Sequence, residues 1–393
     1  MPNTYKKRED ILFFLGFILF YISLFVRDVA GENIITNSSR TIRLVSYVII
    51  TLNVIVSKRI HIKELILTVL LVTVTLMYGM KTKDLYWSFL ILIIMSTINV
   101  NERSIFTTSF KIVMIGAFII VSLCIVGFLP DVINSEGGST FVEVRHSLGF
   151  CHSNVLPLLM LYLELYYVVI HDIKVKNHYI LLFGFLSVIL FFICGSRNAC
   201  ILSVSLSTLI LARKQFGKKK RILRALSLTT RFIVPVLTVF SIAMMFLVTR
   251  GGIWDAVDTV FSGRFRLALY KMGRVGLHII NFMSNGVFFS DYITYVSGEV
   301  FDTVVLDNGY LYIALRYGLV ANLLYVVVAY LLSKKAENNY CLLIVILVLF
   351  IANFVDNDLV DYLFLPFVLA SFSKILPNRV NSMKVSANQN TEA

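Results

Sequence analysis

Ten residues ahead of a long apolar run combine side chains that can hold a substrate. They read Arg145-His146-Ser147-Leu148-Gly149-Phe150-Cys151-His152-Ser153-Asn154. If this stretch is helical, Arg145, Gly149 and His152 share one face of the helix. Gly149 then leaves a bare position at which a phosphate or a sugar approaches the helix closely. The alternative is an ordinary helix start at the level of the lipid headgroups.

Further cationic and polar residues recur in three later segments. They are Arg197 after the Gly195-Ser196 turn, the set Arg264, Lys271, Arg274 and His278, and Asp307-Asn308 with Arg316 behind them. Arginine suits phosphate because its planar fork grips two oxygens at once and stays charged at any working pH. A departing pyrophosphate accumulates negative charge that such cations stabilise. The residue types therefore indicate a binding site for a phosphorylated substrate.

Other chemistries lack support in this sequence. It contains no HExxH, P-loop, GxSxG or CxxC motif, so hydrolysis and ATP-driven chemistry are not indicated. The five cysteines lie in or beside apolar runs without metal-ligand spacing, and we interpret them as small buried hydrophobes. The acidic turn Asp356-Asn357-Asp358, with Asp361 close behind, is interpreted as solvated. No metal and no cofactor is expected.

The composition is that of an integral membrane protein. Apolar residues make up 58% of the 393, charged residues 15%, and the mean hydropathy is +0.82. Apolar runs that can cross a hydrocarbon core of about 30 Å recur from end to end, and their backbones must be helical there. We predict an all-α polytopic membrane protein with a single transmembrane domain, residues 1–393. About twelve transmembrane helices are expected, at 11–26, 42–57, 62–79, 85–100, 110–129, 147–170, 178–194, 198–212, 232–248, 309–332, 340–355 and 359–373. The last two spans are short, and a ten-span arrangement is the alternative.

The basic residues determine the predicted orientation. With the N-terminus inside, about two thirds of the 36 Lys and Arg lie on the cytoplasmic side, as the positive-inside rule requires. Both the N- and C-termini are then cytoplasmic. The same bias explains the net charge of +13 without a nucleic-acid partner. In this orientation every candidate site residue falls in the outer half of the protein.

One extracytoplasmic loop between spans nine and ten, residues 249–308, is far longer than a usual connection, and such loops are usually functional. Within it Arg264, Lys271, Arg274 and His278 lie within an arc of about 80° if the segment is helical. This pattern predicts an amphipathic helix that lies on the membrane surface with a basic stripe. The stripe either grips a phosphorylated lipid or is attracted to anionic headgroups in general.

Two charged residues fall inside predicted spans. Arg316 lies in the first part of span ten, on the order of 10 Å deep at 1.5 Å per residue. At that depth we expect a partner or a cavity around it rather than lipid. Glu164 lies in the inner half of span six, where we interpret it as a carboxylate that snorkels to the headgroups.

Five short motifs follow one another along the chain. They are Arg145-x3-Gly149-Phe150-x-His152-x-Asn154, Gly195-Ser196-Arg197, Ser262-Gly263-Arg264, Asn285-Gly286, and Asp307-Asn308-Gly309-Tyr310 followed by Tyr317-Gly318. In these motifs and in its topology the whole chain resembles the Wzy-type polysaccharide polymerases of Gram-positive capsule or exopolysaccharide loci, within the O-antigen polymerase and ligase superfamily. The resemblance implies an enzyme of the bacterial plasma membrane with its active site on the extracytoplasmic side. Such a glycosyltransferase joins oligosaccharide repeat units carried on undecaprenyl pyrophosphate.

The resemblance also implies roles for single residues. Arg145, Arg197 and Arg264 would hold the pyrophosphate, and His278, in the long loop, would be a base or a charge stabiliser. With the basic stripe included, the candidate substrate-binding residues are Gly149, His152, Asn154, Arg197, Lys271, Arg274, Asp307, Asn308 and Arg316, and the candidate catalytic residues are His278, Arg264 and Arg145. The implied partners are the lipid-linked oligosaccharide, the bilayer, a chain-length regulator and a flippase.

Two other functions use the same kind of substrate. A flippase or transporter of the lipid-linked oligosaccharide needs a polar path to both leaflets and usually carries an internal repeat, and we find no such repeat. A ligase that transfers the finished glycan to another acceptor uses the same donor and the same outer site. The sequence therefore does not separate a ligase from a polymerase.

Overall fold

The computed structural model of the protein describes residues 2–30, 34–56, 62–82, 86–97, 100–134, 144–261, 263–281, 293–294, 300–301, 306–356 and 362–373. Its helices are α1 (Pro2–Arg27), α2 (Ile34–Val56), α3 (Ile62–Thr82), α4 (Tyr86–Thr97), α5 (Glu102–Ile125), α6 (Val155–His171), α7 (Asn177–Cys194), α8 (Arg197–Leu211), α9 (Arg213–Phe216), α10 (Lys220–Leu247), α11 (Ile253–Val260), α12 (Arg264–Val275), α13 (Gly309–Tyr317), α14 (Leu319–Lys335), α15 (Tyr340–Val355) and α16 (Leu365–Phe372). Two short antiparallel strand pairs join β1 (Ile133–Asn134) to β2 (Arg145–His146) and β3 (Ile293–Thr294) to β4 (Val300–Phe301).

The described helices have the length and composition of membrane-crossing segments. Five are long and apolar enough to cross a bilayer by themselves, namely Ser38–Val56, Glu102–Ile125, Val155–Lys174, Asn177–Cys194 and Lys220–Arg250. Shorter apolar helices of 10–17 residues accompany them. Many large apolar side chains on these helices are exposed, as expected where lipid replaces water. The all-α membrane fold class is confirmed at this level.

Polar contacts define one end of the bundle, here called the base end. Lys335 Nζ, in the last turn of α14, donates to Glu102 Oε1 at the start of α5 over 2.8 Å. Asn339 Nδ2, which precedes α15, donates to Asp172 Oδ1 just after α6 over 2.5 Å. The starts of α5 and α15 therefore lie together with the ends of α6 and α14.

The opposite end, here called the site end, is defined in the same way. The backbone N–H of Cys151, ahead of α6, donates to the carbonyl of Asp28 just after α1 over 2.9 Å. Asn198 in the first turn of α8 donates to the carbonyl of Val355 at the end of α15 over 3.5 Å. Helix α6 thus begins at the site end and finishes at the base end, and α15 runs in the opposite direction.

The core at the centre of the bundle contains a chain of tyrosines. The hydroxyls of Tyr21 in α1 and Tyr166 in α6 lie 2.8 Å apart, and the Tyr166 hydroxyl donates to the carbonyl of Leu363 over 2.5 Å. These bonds join α1 and α6 to the segment that begins α16. That last helix is short, and Pro366 lies in its first turn. The N–H groups of a first turn have no acceptor within the helix, so the missing N–H of proline costs no hydrogen bond there.

The predicted tenth span, 309–332, is broken in two. It consists of α13 and α14, which meet at Gly318 with a φ of +89°. A Cβ at that glycine would lie 2.6 Å from the carbonyl oxygen of Ile279 and the nitrogen of Asn281, so the loop segment fills the break. The N–H of Asn281 donates to the carbonyl of Tyr317 over 3.1 Å. Only a residue without a side chain permits this approach.

Candidate functional site

The segment from Arg145 to Asn154 is not a helix. Arg145 and His146 form β2, turns follow, and α6 begins only at Val155. The prediction of a span that starts at 147, with Arg145, Gly149 and His152 on one helical face, is therefore wrong. Tertiary contacts with the segment after α5 and with the end of α1 hold this stretch in its extended and turned form.

Asp131, which the sequence did not single out, shapes the turn beside Arg145. Its Oδ1 accepts from the backbone N–H groups of Ser147 and Leu148, each over 2.9 Å. Its Oδ2 lies 2.6 Å from Nδ1 of His146. Burial alone raises the pKa of the Asp131 carboxyl, but the bonds from His146 and the two backbone groups outweigh it and lower the pKa. The carboxylate is thus a fixed anchor for the turn.

The side chain of Arg145 lies over the turn between α7 and α8. A Cβ at Gly195, whose φ is +71°, would lie 2.9 Å from both Cγ and Nε of Arg145. Glycine is required there because a side chain would displace the arginine. Arg197 starts α8 two residues later and is exposed. The motif Gly195-Ser196-Arg197 therefore packs against Arg145 and carries a second arginine two residues beyond that contact.

Arg264 is the first residue of α12, and the preceding helix positions it. The buried Asp258 of α11 accepts a hydrogen bond from the N–H of Phe265 through Oδ1 over 2.9 Å, so it caps α12 from outside. Phe265 is itself buried against Phe240 of α10 and Phe354 of α15. The amphipathic helix predicted within 249–308 thus exists, and it is fastened to the bundle.

Arg264 and Asp307 form an ion pair, and the partly exposed edge of the candidate site at Asp307 is here called its mouth. Nη2 of Arg264 lies 3.4 Å from Oδ2 of Asp307, and their side chains are 13% and 43% exposed. Nε of Arg264 is buried and, among the described residues, has no hydrogen-bond partner. A buried guanidinium N–H without an acceptor is unfavourable, and an anion bound beside Asp307 would supply one.

His152 interacts electrostatically with Arg145 and with Asp307 of the Arg264–Asp307 ion pair. Burial lowers the pKa of its imidazole, Arg145 lowers it further, and Asp307 raises it. His152 therefore lies within electrostatic reach of both charged groups. These four residues, Arg145, His152, Arg264 and Asp307, are called the Arg–His–Asp cluster below.

One hydrogen bond selects the tautomer of His152. Its Nδ1 lies 3.1 Å from the backbone N–H of Asn154, which can only donate. Because Nδ1 accepts, the neutral ring carries its hydrogen on Nε2, an assignment made from the bonding pattern. The side chain of Asn154 makes no capping bond to α6. His152 thus offers an N–H donor to a ligand.

The carboxyl group of Asp307 is desolvated by its surroundings. This burial raises its pKa above the ordinary value, although Arg264 and His152 each lower it. The exposed part of the side chain shows that the group still reaches the mouth of the site. A carboxylate of raised pKa is a better proton acceptor than an ordinary aspartate.

The basic stripe of the long loop does not form one face. Lys271 is fully buried with Phe265 on the side of α12 that packs against the bundle, so it is not available at a membrane surface. Arg274 is exposed and lies over the ring of Tyr270 at 5.1 Å. The description of α12 as a surface helix with an exposed basic stripe is therefore wrong, because the stripe is divided between the core and the exterior.

His278 lies beyond α12 and away from the cluster. It is exposed, its Nε2 is 3.1 Å from the carbonyl of Val275, and its own carbonyl accepts from the N–H of Leu319 over 3.1 Å. Eleven helical steps separate the two ends of α12, about 16 Å, and Arg264 is at the first of them. The structure does not bring His278 to Arg264.

Asn308 caps α13, and Arg316 lies within this helix. Asn308 is buried, its Oδ1 accepts from the N–H of Leu311 over 3.0 Å, and its Nδ2 donates to Ser241 over 3.1 Å, so it caps the helix and holds Asp307 in place. Arg316 is buried, bonds to the hydroxyl of Tyr312 and lies over the Tyr317 ring at 4.7 Å. A partner was expected for Arg316 inside its span, and the structure supplies the aromatic side chains of Tyr312 and Tyr317.

Gly149 is not the open position that the sequence suggested. A Cβ there would lie 3.0 Å from Ile120 Cγ2 and Cys124 Cβ of α5, and its carbonyl accepts from Ala30 over 2.9 Å. With a φ of +89° the residue is a structural glycine, so no phosphate approaches α6 at this point.

The replacement Gly149→Ala is expected to destabilise the protein. It adds overpacking of about 1–3 kcal/mol to the strain of a left-handed residue of about 1–2 kcal/mol. Gly127→Ala is the matched control, because Gly127 has a φ of +84° and nothing within 4 Å of an added Cβ. Thermal unfolding in detergent should show a larger loss for Gly149→Ala. Equal losses would contradict the packing against α5.

The replacement Asp258→Ala is expected to loosen α12. It removes the cap on Phe265, which costs about 0.5–2 kcal/mol, and it should weaken anion binding at Arg264. Asp255→Ala is the control, since Asp255 is 44% exposed and pairs with the outward Arg266 over 2.6 Å. Thermal unfolding should separate the two variants, and indistinguishable melting temperatures would show that Asp258 does not hold the helix.

Three expectations fall on residues outside the described ranges. They concern Ser262, the pair Asn285-Gly286, and the acidic turn at 357–361. Within the described part of the chain no group of three His, Cys, Asp or Glu could hold a metal ion.

Comparisons with known proteins gave no match. No family model, no curated protein and no solved structure is similar enough to this chain to be significant. The proposed function therefore rests on the motifs and on the geometry of the cluster.

Proposed function

We propose that the protein is a polymerase of lipid-linked oligosaccharides in capsule or exopolysaccharide biosynthesis. It would join repeat units carried on undecaprenyl pyrophosphate, with the site end of the bundle at the outer face of the bacterial plasma membrane. The observation that carries the proposal is the convergence of Arg145, His152, Arg264 and Asp307 from three separate parts of the chain. The resemblance of the same motifs to Wzy-type polymerases supplies the substrate class.

The arginines suit the leaving group of this reaction. The guanidinium groups of Arg264 and Arg145 are donors for the oxygens of a pyrophosphate, and Nε of Arg264 has no acceptor among the described residues. Arg197, exposed at the start of α8, extends the cationic surface on the same side. Because the negative charge on the pyrophosphate grows as its bond to the sugar breaks, cations held in place stabilise the transition state more than the ground state.

The reaction itself needs no group beyond the two lipid-linked units. An acceptor hydroxyl oxygen forms a bond to the anomeric carbon of the growing chain, while the bond from that carbon to the pyrophosphate oxygen breaks. The pyrophosphate leaves with the electron pair of that bond. The hydroxyl proton passes to a base of the protein.

Asp307 is the best placed base for that proton. It lies in the cluster, it reaches the mouth of the site, and burial raises its pKa, whereas His278 lies at the far end of α12. His152, with its hydrogen on Nε2, is suited to donate to a sugar or a phosphate oxygen rather than to accept the proton. We therefore assign proton acceptance to Asp307 in place of His278.

Reconstitution tests the proposal directly. The purified full-length protein is placed in liposomes with lipid-linked repeat units and without ATP, and the glycan products are separated by chain length. A ladder of products is expected. A chain-length regulator and a flippase are proposed partners in the cell, but neither should be needed for the ladder in liposomes.

Two other outcomes would favour the alternative functions. Movement of labelled lipid-linked units across the bilayer without new glycosidic bonds would indicate a flippase and would contradict the proposal. Transfer of a preformed glycan to a different acceptor, with no growth of the chain, would indicate a ligase.

A further inference from the structure

A buried carboxyl group lies in the membrane-crossing part of the bundle, far from the Arg–His–Asp cluster. Glu164 of α6 is 0% exposed, so the interpretation that it snorkels to the headgroups is wrong. Its Oε2 accepts from the hydroxyl of Ser203 over 2.5 Å, and its Oε1 lies 2.7 Å from the hydroxyl oxygen of Ser207. Both serines belong to α8, one helical turn apart.

The network continues into α7. The hydroxyl of Ser187 donates to that of Ser203 over 2.8 Å, and the hydroxyl oxygen of Ser207 also lies 3.0 Å from the carbonyl of Ile180. A Cβ at Gly184 would lie 3.0 Å from Oγ of Ser207, so α7 and α8 approach each other closely here. The carboxyl group therefore joins three helices through small residues.

No cation balances this carboxyl group among the described residues. None of the ion pairs between described residues involves Glu164, and its two hydrogen-bond partners on α8, Ser203 and Ser207, are neutral hydroxyls. An ionised carboxylate without a counter-ion in a hydrocarbon environment is strongly disfavoured, and such a group becomes neutral instead.

The number of hydrogens available for hydrogen bonds around Ser207 also indicates that Glu164 is neutral. The Ser207 hydroxyl has one hydrogen but two oxygen neighbours, Glu164 Oε1 and the carbonyl of Ile180. An ionised Glu164 can only accept, so one of these two short contacts would lack a hydrogen. If Oε1 carries a proton, Glu164 donates to Ser207 and Ser207 donates to Ile180, and each contact then holds one hydrogen.

We propose that Glu164 is a proton-binding site, a neutral carboxylic acid that fixes α6 against the α7–α8 pair. Its function is to set the register of these helices. At their site ends α6 follows His152, and the turn between α7 and α8 carries Gly195 and Arg197. Ser203 is six residues along α8 from Arg197, about 9 Å, so the network supports the loops that hold the candidate site.

Infrared spectroscopy on the full-length protein in nanodiscs tests the proposal without an activity assay. The difference spectrum of wild type minus Glu164→Gln at neutral pH should contain the C=O stretching band of a protonated carboxylic acid. The control is Glu337→Gln, because Glu337 is 50% exposed and pairs with Arg231 over 2.9 Å. That difference should show carboxylate bands only.

Two results would overturn the proposal. One is a Glu164→Gln difference with carboxylate bands alone at neutral pH. The other is a carboxylic acid band that disappears when K⁺ is replaced by Na⁺, which would indicate a cation site instead of a proton site.

The melting temperature is a second readout. Glu164→Gln should retain the wild-type melting temperature because glutamine is neutral and can still donate to Ser207, while Glu164→Ala should lower it. Equal melting temperatures for these two variants would contradict the role in holding the helices.

Discussion

Replacement of Arg264 by alanine should abolish long glycan products while the protein remains folded and inserted. Arg264 is nearly enclosed, pairs with Asp307, and has a buried Nε without a partner among the described residues, so it is the group best placed to receive the pyrophosphate. Loss of one such charge stabiliser typically lowers kcat by about 10²–10³-fold. Arg145→Ala should cause a loss of similar size, since Arg145 is the second arginine of the Arg–His–Asp cluster and acts on His152.

The chain offers a matched control two residues away. Arg266 is on the same helix with the same charge, but its side chain is 64% exposed and pairs with Asp255. Arg266→Ala should form the product ladder at nearly the wild-type rate. If all three arginine variants lose activity equally, a general effect of basic charge on lipid association would explain the result better than a specific site. Normal chain lengths in Arg264→Ala would contradict the assignment.

Replacement of Asp307 by asparagine should lower the rate of chain growth by about 10²–10⁴-fold, the usual contribution of a positioned base. The donor should still bind, because asparagine removes a negative charge next to Arg264 and leaves the arginine free for the anion. Kinetics of the reconstituted enzyme should therefore show a fall in kcat without a rise in KM for the donor. A rise in KM with an unchanged kcat would show that Asp307 only positions Arg264.

The pH dependence gives a second readout of Asp307. Because burial raises its pKa, the carboxyl group takes up a proton at a higher pH than an ordinary aspartate does, and a protonated group cannot accept the acceptor proton. The wild-type rate should thus fall as the pH is lowered through this raised pKa. In Asp307→Asn this acid limb should disappear, because an asparagine side chain does not take up a proton in this range. An acid limb at the same pH in both proteins would exclude Asp307 as the base.

The helices could be predicted from the sequence more reliably than the site. Apolar runs such as 178–194 and 340–355 agree with α7 and α15 to within a residue, because the bilayer demands helical backbone wherever the run is long enough. The break at Gly318 could not be predicted in this way. It depends on residues 279–281 of a distant loop that fill the gap, and a glycine in an apolar run gives no local sign of such a contact.

The turn around Gly149 shows why local periodicity failed at the site. The spacing of Arg145, Gly149 and His152 fits a helix, but Asp131 holds the backbone of this stretch through bonds to residues sixteen and seventeen positions further along the chain. Similarly, the spacing of Arg264 and Lys271 indicated one basic face, yet that face packs against the bundle and buries Lys271 completely. Periodicity identifies residues that share a face but not what the face contacts.

The grouping of Arg145 and Arg264 could nevertheless be inferred from sidedness. Both were assigned to the outer half from the alternation of spans, and the structure links them in sequence: Arg145 acts on His152, His152 interacts with Asp307, and Asp307 pairs with Arg264. What the sequence lacked was the pairing itself, since Arg264 and Asp307 are far apart in the chain. Their contact depends on α12 lying against α10 and α13, which the cap from Asp258 and the burial of Phe265 bring about.

The most direct test is the affinity for undecaprenyl pyrophosphate in nanodiscs, measured for wild type, Arg145→Ala, Arg264→Ala and the double variant. Hydrogen bonds to charged groups contribute about 1.5–3 kcal/mol each, so each single variant should bind roughly 10- to 100-fold more weakly. If both arginines hold the same pyrophosphate, the loss in the double variant should be clearly smaller than the product of the two single losses. Wild-type affinity in both single variants would contradict the proposed site.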